Sequence, residues 1–318
     1  MTLLVIGAIC PGLSGGHYMY ISMRLWAAVS SFFLLLVSTE VVCQVLGYKE
    51  QVLAIPDPLT GFRLAPSQDV FTRRGEVFVN RWSMRSPDFP YSKRPGERRI
   101  LVLGDSVPMA GGVAQLEIAT EILAKQLSAT VGNISTGGWA PGNILAYVRE
   151  YGWFEADTVV LVFNSEDVDA VMTYPPKFGP AVYQTRPISA GLAMFRTEVL
   201  GRIHNRFLYV APAKTGAGAK DIAELIDMAV NSVPNVIVAF HPTKIENETG
   251  DRAPPSISNA AAKVGATFLQ LHYGSNAYKD RIHLNAVGQR ELADQIGDTI
   301  SMPPALKSLS LGLVRQPR

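Results

Sequence analysis

The residue types able to do covalent chemistry sit at two distant points of this chain. An apolar run at 100–103 ends abruptly in Gly104, Asp105 and Ser106, and far downstream Asp280 and His283 flank Arg281 and Ile282. A serine hydroxyl is a poor nucleophile until an imidazole takes its proton and a carboxylate holds that imidazole in the right tautomer. With Ser106, His283 and Asp280 in one chain, acyl transfer through a covalent intermediate on Ser106 is the chemistry these types support. The three-residue separation puts Asp280 and His283 on one side of a single turn. The carboxylate can then accept from one ring nitrogen while the other faces the serine. Alone, Gly104-Asp105-Ser106 is only a favoured turn tripeptide, with a glycine that turns freely and an aspartate that accepts from nearby backbone N–H groups. The downstream pair raises its weight.

Bringing the two points together requires a scaffold, and the chain supplies one in alternating apolar and helical patterns. Strands are expected at 100–103, 131–134, 158–163, 236–240 and 267–271, and helices at 117–127, 142–151, 190–205, 220–231 and 286–299. This alternation predicts an α/β fold, a three-layer sandwich with a parallel sheet between helices, in one domain over 97–303. In open parallel sheets the functional loops lie at the carboxyl ends of strands, which is where Ser106 falls. Residues 171–188, rich in Pro, Tyr and Thr, read as a long loop on the rim of the site. Turn signals between 51 and 97 mark 49–96 as a juxtamembrane spacer with a hairpin around Arg73, Arg74, Gly75 and Glu76. Residues 304–318 read as a loose tail.

The chain has 318 residues, 47% of them hydrophobic and 18% charged, and part of the apolar excess is local. Residues 25–39 carry no charge, and continuing to Leu46 gives a length sufficient to span a bilayer. Residues 1–48 are therefore expected to hold a single N-terminal membrane anchor. A cleaved signal peptide is the alternative, but no small-x-small site follows cleanly, and Glu40 sits awkwardly in either reading. Met23 is a candidate true start. Arg24 before the segment favours a cytoplasmic N-terminus and an extracytoplasmic, periplasmic body, and Lys49 beyond it opposes that bias. Cys10 and Cys43 both lie in the N-terminal region, so no disulfide staples the main domain and no cysteine-based metal site is expected. The five histidines form no ligand cluster with the carboxylates; no metal and no other cofactor is expected. A net charge of +2 with scattered basic residues leaves no nucleic-acid footprint.

On these blocks the chain resembles the GDSL or SGNH hydrolase superfamily, over about two hundred residues. The resemblance implies a flavodoxin-like SGNH fold and a carboxylic ester hydrolase with Ser106, His283 and Asp280 as its triad. Asn133 to Pro141 resembles the family's second block, whose glycine amide points into the oxyanion hole; by offset from Asn133 the match is Gly138, with Gly137 the fallback. The backbone amide of Ser106 is the other main-chain donor. The third block departs from the pattern. The family expects asparagine directly before aspartate, and here the run is Phe163, Asn164, Ser165, Glu166, Asp167. Glu166 falls in the asparagine's register, where a carboxylate would repel an oxyanion unless protonated or turned aside. Asn164 shares its strand parity, displaced by roughly 6 to 7 Å, and is expected to be the donor instead.

Other features have blander readings beside the functional ones. Gly12, Ser14 and Gly16 fit a nucleophile-elbow pattern, but lack the strand and helix that would strain such a serine into exposure. Trp139, Glu166 and His241 are candidate substrate contacts; a histidine such as His241 or His272 is more often structural, and Tyr147 and Trp153 fit a core. The resemblance implies an O-acylated carbohydrate or small ester as substrate, most plausibly acetylated, since membrane-tethered relatives often act on envelope or secreted polysaccharide. An O-acyltransferase modifying an exopolysaccharide is the alternative, although such enzymes typically place their Asp-His pair before the serine. A catalytically weak carbohydrate-binding or assembly protein with the same fold is the reading that Glu166 motivates.

Overall fold

The computed structural model describes residues 15–174, 183–203 and 215–302. Cys10, Gly12 and Ser14, part of the rim loop, the expected helix end at 204–205 and the tail from 303 lie outside them. The chain begins with helix α1 (Gly15–Val45), within which Ser22–Val45 has a mean hydropathy of 1.9 and is long and apolar enough to cross a membrane. Two antiparallel hairpins follow, β1 (Ala54–Asp57) with β2 (Gly61–Leu64) and β3 (Gln68–Thr72) with β4 (Gly75–Val79), the second turning at Arg73 and Arg74.

The body is then built from β5 (Arg99–Gly104), the four-residue α2 (Ser106–Met109), α3 (Ala119–Leu127), β6 (Thr130–Ser135), α4 (Pro141–Tyr151) and β7 (Thr158–Phe163). After the rim come α5 (Ala190–Met194), a π-helical stretch Phe195–Leu200, and α6 (Gly201–Ile203). The chain closes with α7 (Ala217–Ser232), β8 (Asn235–Phe240), α8 (Lys244–Thr249), α9 (Pro255–Val264), β9 (Thr267–Gln270) and α10 (Ala286–Ser301). The five strands β6-β5-β7-β8-β9 form one wholly parallel sheet.

Every residue of β5 and β7 is buried, as expected of strands covered by helices on both faces. Alternation assigns the two sides. Leu101, Leu103, Val159, Leu161, Phe163, Val238 and Phe240 join one core with residues of α4, α7 and α9. Ile100, Val102, Val160, Val162, Ile237 and Ala239 join the other with residues of α3 and α10. The strand order places β5 between β6 and β7, so the chain runs outward in both directions from it. That is the switch point at which open α/β sheets leave a crevice beyond their strand ends.

Residues between α1 and the sheet do more than connect. Phe62, Met84 and Phe89 enter the first core, and Arg85 is 1% exposed. Glu40, near the end of α1, has a definite task. Its carboxylate accepts from Ala190 N (2.8 Å), Gly191 N (3.0 Å) and Ser189 Oγ (2.6 Å), satisfying amides at the start of α5 that have no intrahelical acceptor.

Candidate active site

Ser106 is the first residue of α2, directly after β5, and the preceding Asp105 is its N-cap. Asp105 Oδ1 accepts from Val107 N at 2.9 Å, and its Oδ2 accepts from Asn164 Nδ2 at 3.1 Å. Gly104 is required here for close approach and not for a left-handed turn. A Cβ at that position would stand 2.5 Å from Pro108 Cγ, inside the folded-back first turn of α2.

So short a helix leaves its carbonyls without intrahelical partners, and buried side chains take four in succession. Gln289 Nε2 donates to Val107 O (3.0 Å) and Asn133 Nδ2 to Pro108 O (2.8 Å). Arg85 Nη1 donates to Met109 O and Ala110 O (2.7 Å each). Burial pulls the Arg85 guanidinium down to about 10, and these carbonyl dipoles meet its donors. The sequence reading missed Arg85 and Gln289, because nothing in their local pattern distinguishes a buried polar anchor from a solvated one.

The imidazole arrives from the loop between β9 and α10. His283 Nε2 lies 2.9 Å from Ser106 Oγ, and His283 Nδ1 lies 3.0 and 2.9 Å from Asp280 Oδ1 and Oδ2. Asp280 Oδ1 also accepts from the backbone amides of Ile282 (3.1 Å) and His283 (2.9 Å), so one carboxylate shapes the loop and orients the ring. Burial opposes its ionised form, but the hydrogen bond and charge of His283 together with those two amides hold its carboxyl well below the usual range. The structure brings all three predicted residues into one chain of contacts, with Nδ1–H facing Asp280 and a free Nε2 lone pair facing the hydroxyl.

Around the serine the picture is mixed. Gly137 is the glycine against it: a Cβ there would stand 3.8 Å from Ser106 Cβ, whereas one on Gly138 would face Phe62. Asn164 is 3% exposed, caps the 3-10 turn Ser165–Val168, and accepts from Glu166 N at 2.9 Å. Glu166 is turned aside, its Oε1 paired with Arg281 Nη2 at 2.6 Å. Behind Asn164, Asp167 Oδ2 accepts the Asn164 amide at 2.8 Å. Burial and then the nearby charge of Asp105 push the Asp167 carboxyl well up.

Two expected substrate contacts are corrected. Trp139 is 4% exposed, packs in the first core and donates from Nε1 to Phe62 O at 2.7 Å, which fixes the β1–β2 hairpin to the body. His241 does not line the cleft either. It is fully buried beneath the Asp280 loop, with Nε2 2.8 Å from Ile282 O and Nδ1 3.0 Å from Tyr273 Oη. A carbonyl only accepts, so Nε2 carries the hydrogen and Nδ1 accepts from the phenol. Burial pulls His241 down to about 4, keeping it neutral.

A cleft of about 560 Å³ opens beside the triad, bounded by Gly137, Thr136 and Asp280. Phe62, Leu64, Val77 and Met109 give it an apolar floor. Arg73, Arg74, Lys279 and Arg202 stand on its walls with Glu198 as the acidic neighbour. Among the described residues no group of three or more His, Cys, Asp or Glu is placed to hold a metal ion.

No protein-family model matches the chain, and no curated protein matches it. Solved structures similar to it include LAE5, an α/β hydrolase enzyme from the metagenome of Lake Arreo, at 16% identity over 63% of this chain and 93% of that one, TM-score 0.42. Axe2, an acetylxylan esterase from Geobacillus stearothermophilus, is 16% identical over 65% of this chain and 95% of its own, TM-score 0.42. The psychrotrophic esterase EstA from Pseudoalteromonas sp. is 14% identical over 64% and 97%, TM-score 0.38.

Proposed function

We propose that this protein is a serine ester hydrolase of the SGNH type, working through an acyl-enzyme on Ser106, with O-acetylated carbohydrate as its substrate class. The observation that carries the reading is the unbroken relay from Asp280 through His283 to Ser106 Oγ, at 2.9 to 3.0 Å per link.

In this reading the Ser106 oxygen attacks the ester carbonyl as its proton passes to His283 Nε2, and Asp280 steadies the imidazolium that forms. The tetrahedral intermediate collapses when His283 returns that proton to the leaving alcohol oxygen, leaving acyl-Ser106. Water then attacks with His283 again as base, and the carboxylic acid departs. The developing oxyanion is met by the amide of Ser106, at the first position of α2 where a helix has no internal acceptor. Gly137 N–H, in place of Gly138, is the second donor. Asn164 is the third, through the Nδ2 hydrogen not engaged by Asp105. Pairing Glu166 with Arg281 removes the repulsion that its position in the sequence suggests.

The carbohydrate assignment rests on the resemblance of the sequence blocks. The cleft has room for a sugar residue bearing a small acyl group. The test uses the full chain in detergent micelles with p-nitrophenyl acetate and a fluorophosphonate probe. Turnover and labelling, both abolished by Ser106→Ala, are the expected result. A folded wild-type protein that neither turns over nor labels overturns the reading.

A further inference from the structure

Away from the proposed catalytic groups, the segment 188–203 carries apolar side chains left exposed among the described residues. Ile188, Leu192, Phe195, Val199 and Ile203 recur every three or four residues, and Ile188 and Leu192 are 96% and 69% exposed. Ile188 lies just before the N-cap Ser189, Leu192 in α5, Phe195 and Val199 in the π-helical stretch and Ile203 in α6, so exposed apolar side chains run the length of the segment. Other faces are occupied. Ala190 and Ala193 pack with Cys43, Tyr48 and Tyr183, Glu198 pairs with Arg73 at 2.7 Å, and Arg196 lies over the Tyr183 ring at 4.5 Å.

What adjoins this stripe is the end of α1. Glu40 caps α5 directly, and Cys43, one helical turn later, packs on it. From Ser22 to Val45 the helix rises about 35 Å, enough to cross a hydrocarbon layer of roughly 30 Å. Glu40, the first carboxylate after the uncharged run 25–39, thus stands near one end of that length, and α5 is attached at the same level. Within the segment Arg196 and Arg202 stand against a single Glu198, the basic balance common to helices lying at a bilayer surface.

We propose that residues 188–203 are a second membrane contact, seated in the headgroup layer of the bilayer that α1 spans; this rests on reading α1 as a membrane anchor. The segment also supplies Thr197, Glu198, Gly201 and Arg202 to the wall of the cleft. The catalytic cleft therefore opens at the lipid surface, where esters on membrane-bound or membrane-adjacent glycans are presented.

The test places the full chain, with Cys10→Ser and Cys43→Ala, in nanodiscs of brominated or ordinary phosphatidylcholine with phosphatidylglycerol. Single cysteines carry a bimane label. Leu192→Cys and Val199→Cys report on the stripe, Phe33→Cys on the middle of α1, and Lys125→Cys on the exposed last turn of α3. The expected result is quenching of Leu192 and Val199 labels, about twofold and strongest with bromine near the headgroups. Phe33 is expected to be quenched most by deep bromine and Lys125 by none. Quenching at Phe33 but not at Leu192 or Val199 overturns the proposal and leaves the anchor standing. Blue-shifted but unquenched labels at Leu192 and Val199 also overturn it, since a protein surface then covers the stripe. No quenching at Phe33 removes the anchor and the proposal with it.

Discussion

The two halves of the relay are held by opposite means. Ser106 is fixed by its backbone: a four-residue helix whose carbonyls at 107, 108, 109 and 110 are each taken by a buried side chain, on a strand with no exposed residue. Asp280 and His283 sit on a loop, their side chains 47% and 43% exposed, and that loop is shaped by the Asp280 carboxylate and braced from beneath by His241. In the proposed reaction, a nucleophile whose frame is buried leaves little to adjust. The proposed base on an open loop would admit substrate and water beside it, at the cost of depending on a few hydrogen bonds for its aim.

Removing the aim is expected to have the largest effect. Asp280→Asn cannot accept from Nδ1–H as a carboxylate does, and kcat on p-nitrophenyl acetate is expected to fall about 10⁴-fold; a loss under tenfold means that the loop holds the ring without it. On the nucleophile side, Asn164→Ala removes the proposed third oxyanion donor and a ligand of Asp105, for a loss of about 10² to 10³ in kcat with KM little changed. A change in KM alone would assign Asn164 to substrate binding.

The brace beneath the base is read by stability against pH. His241 is held near 4 in the fold against 6.5 ordinarily. The unfolded chain therefore binds the extra proton between those values, and stability falls as pH is lowered through that window, by about 3 kcal/mol at most. Thermal unfolding of the full chain from pH 7 to pH 4 should show this dependence, and His241→Asn, less stable at pH 7, should lose it. Unchanged pH dependence in the variant would place the titrating group elsewhere. The smallest effect belongs to Glu166→Gln, which breaks a half-exposed pair with Arg281 worth about 1 kcal/mol or less; kcat is expected to change by no more than severalfold. A rise of a hundredfold would show that the carboxylate does face the oxyanion.

Strong periodicity made most of the sheet legible. The expected strand at 158–163 is β7 to the residue, and the others shift by one position at one or both ends. Ser106, His283 and Asp280 were legible because their types have few other reasons to occur in that order beside those elements. Helices α8 and α9 were not foreseen. The first is six residues long, begun by a Thr243–Glu246 capping box. The second starts on the latter of two consecutive prolines and holds small residues that reveal little apolar rhythm. The segment expected as one helix from 190 breaks into a π-helical stretch at Phe195–Leu200. Trp139 and His241 were misplaced for one shared reason: neighbours in sequence suggested the cleft, but their partners, Phe62 O and Ile282 O, come from elements distant along the chain. Glu40 looked misplaced until its partner was visible 150 positions away.

The indole of Trp139, bonded to the Phe62 carbonyl, has a mechanical consequence. With the first hairpin riveted to the body and α1 gripping α5, little slack separates the apolar helix from the sheet. With α1 in a bilayer as proposed, the molecule would stand less like a float on a leash than like a fitting screwed to a wall: its working height would be set by folding, and only esters carried to that height would come within reach.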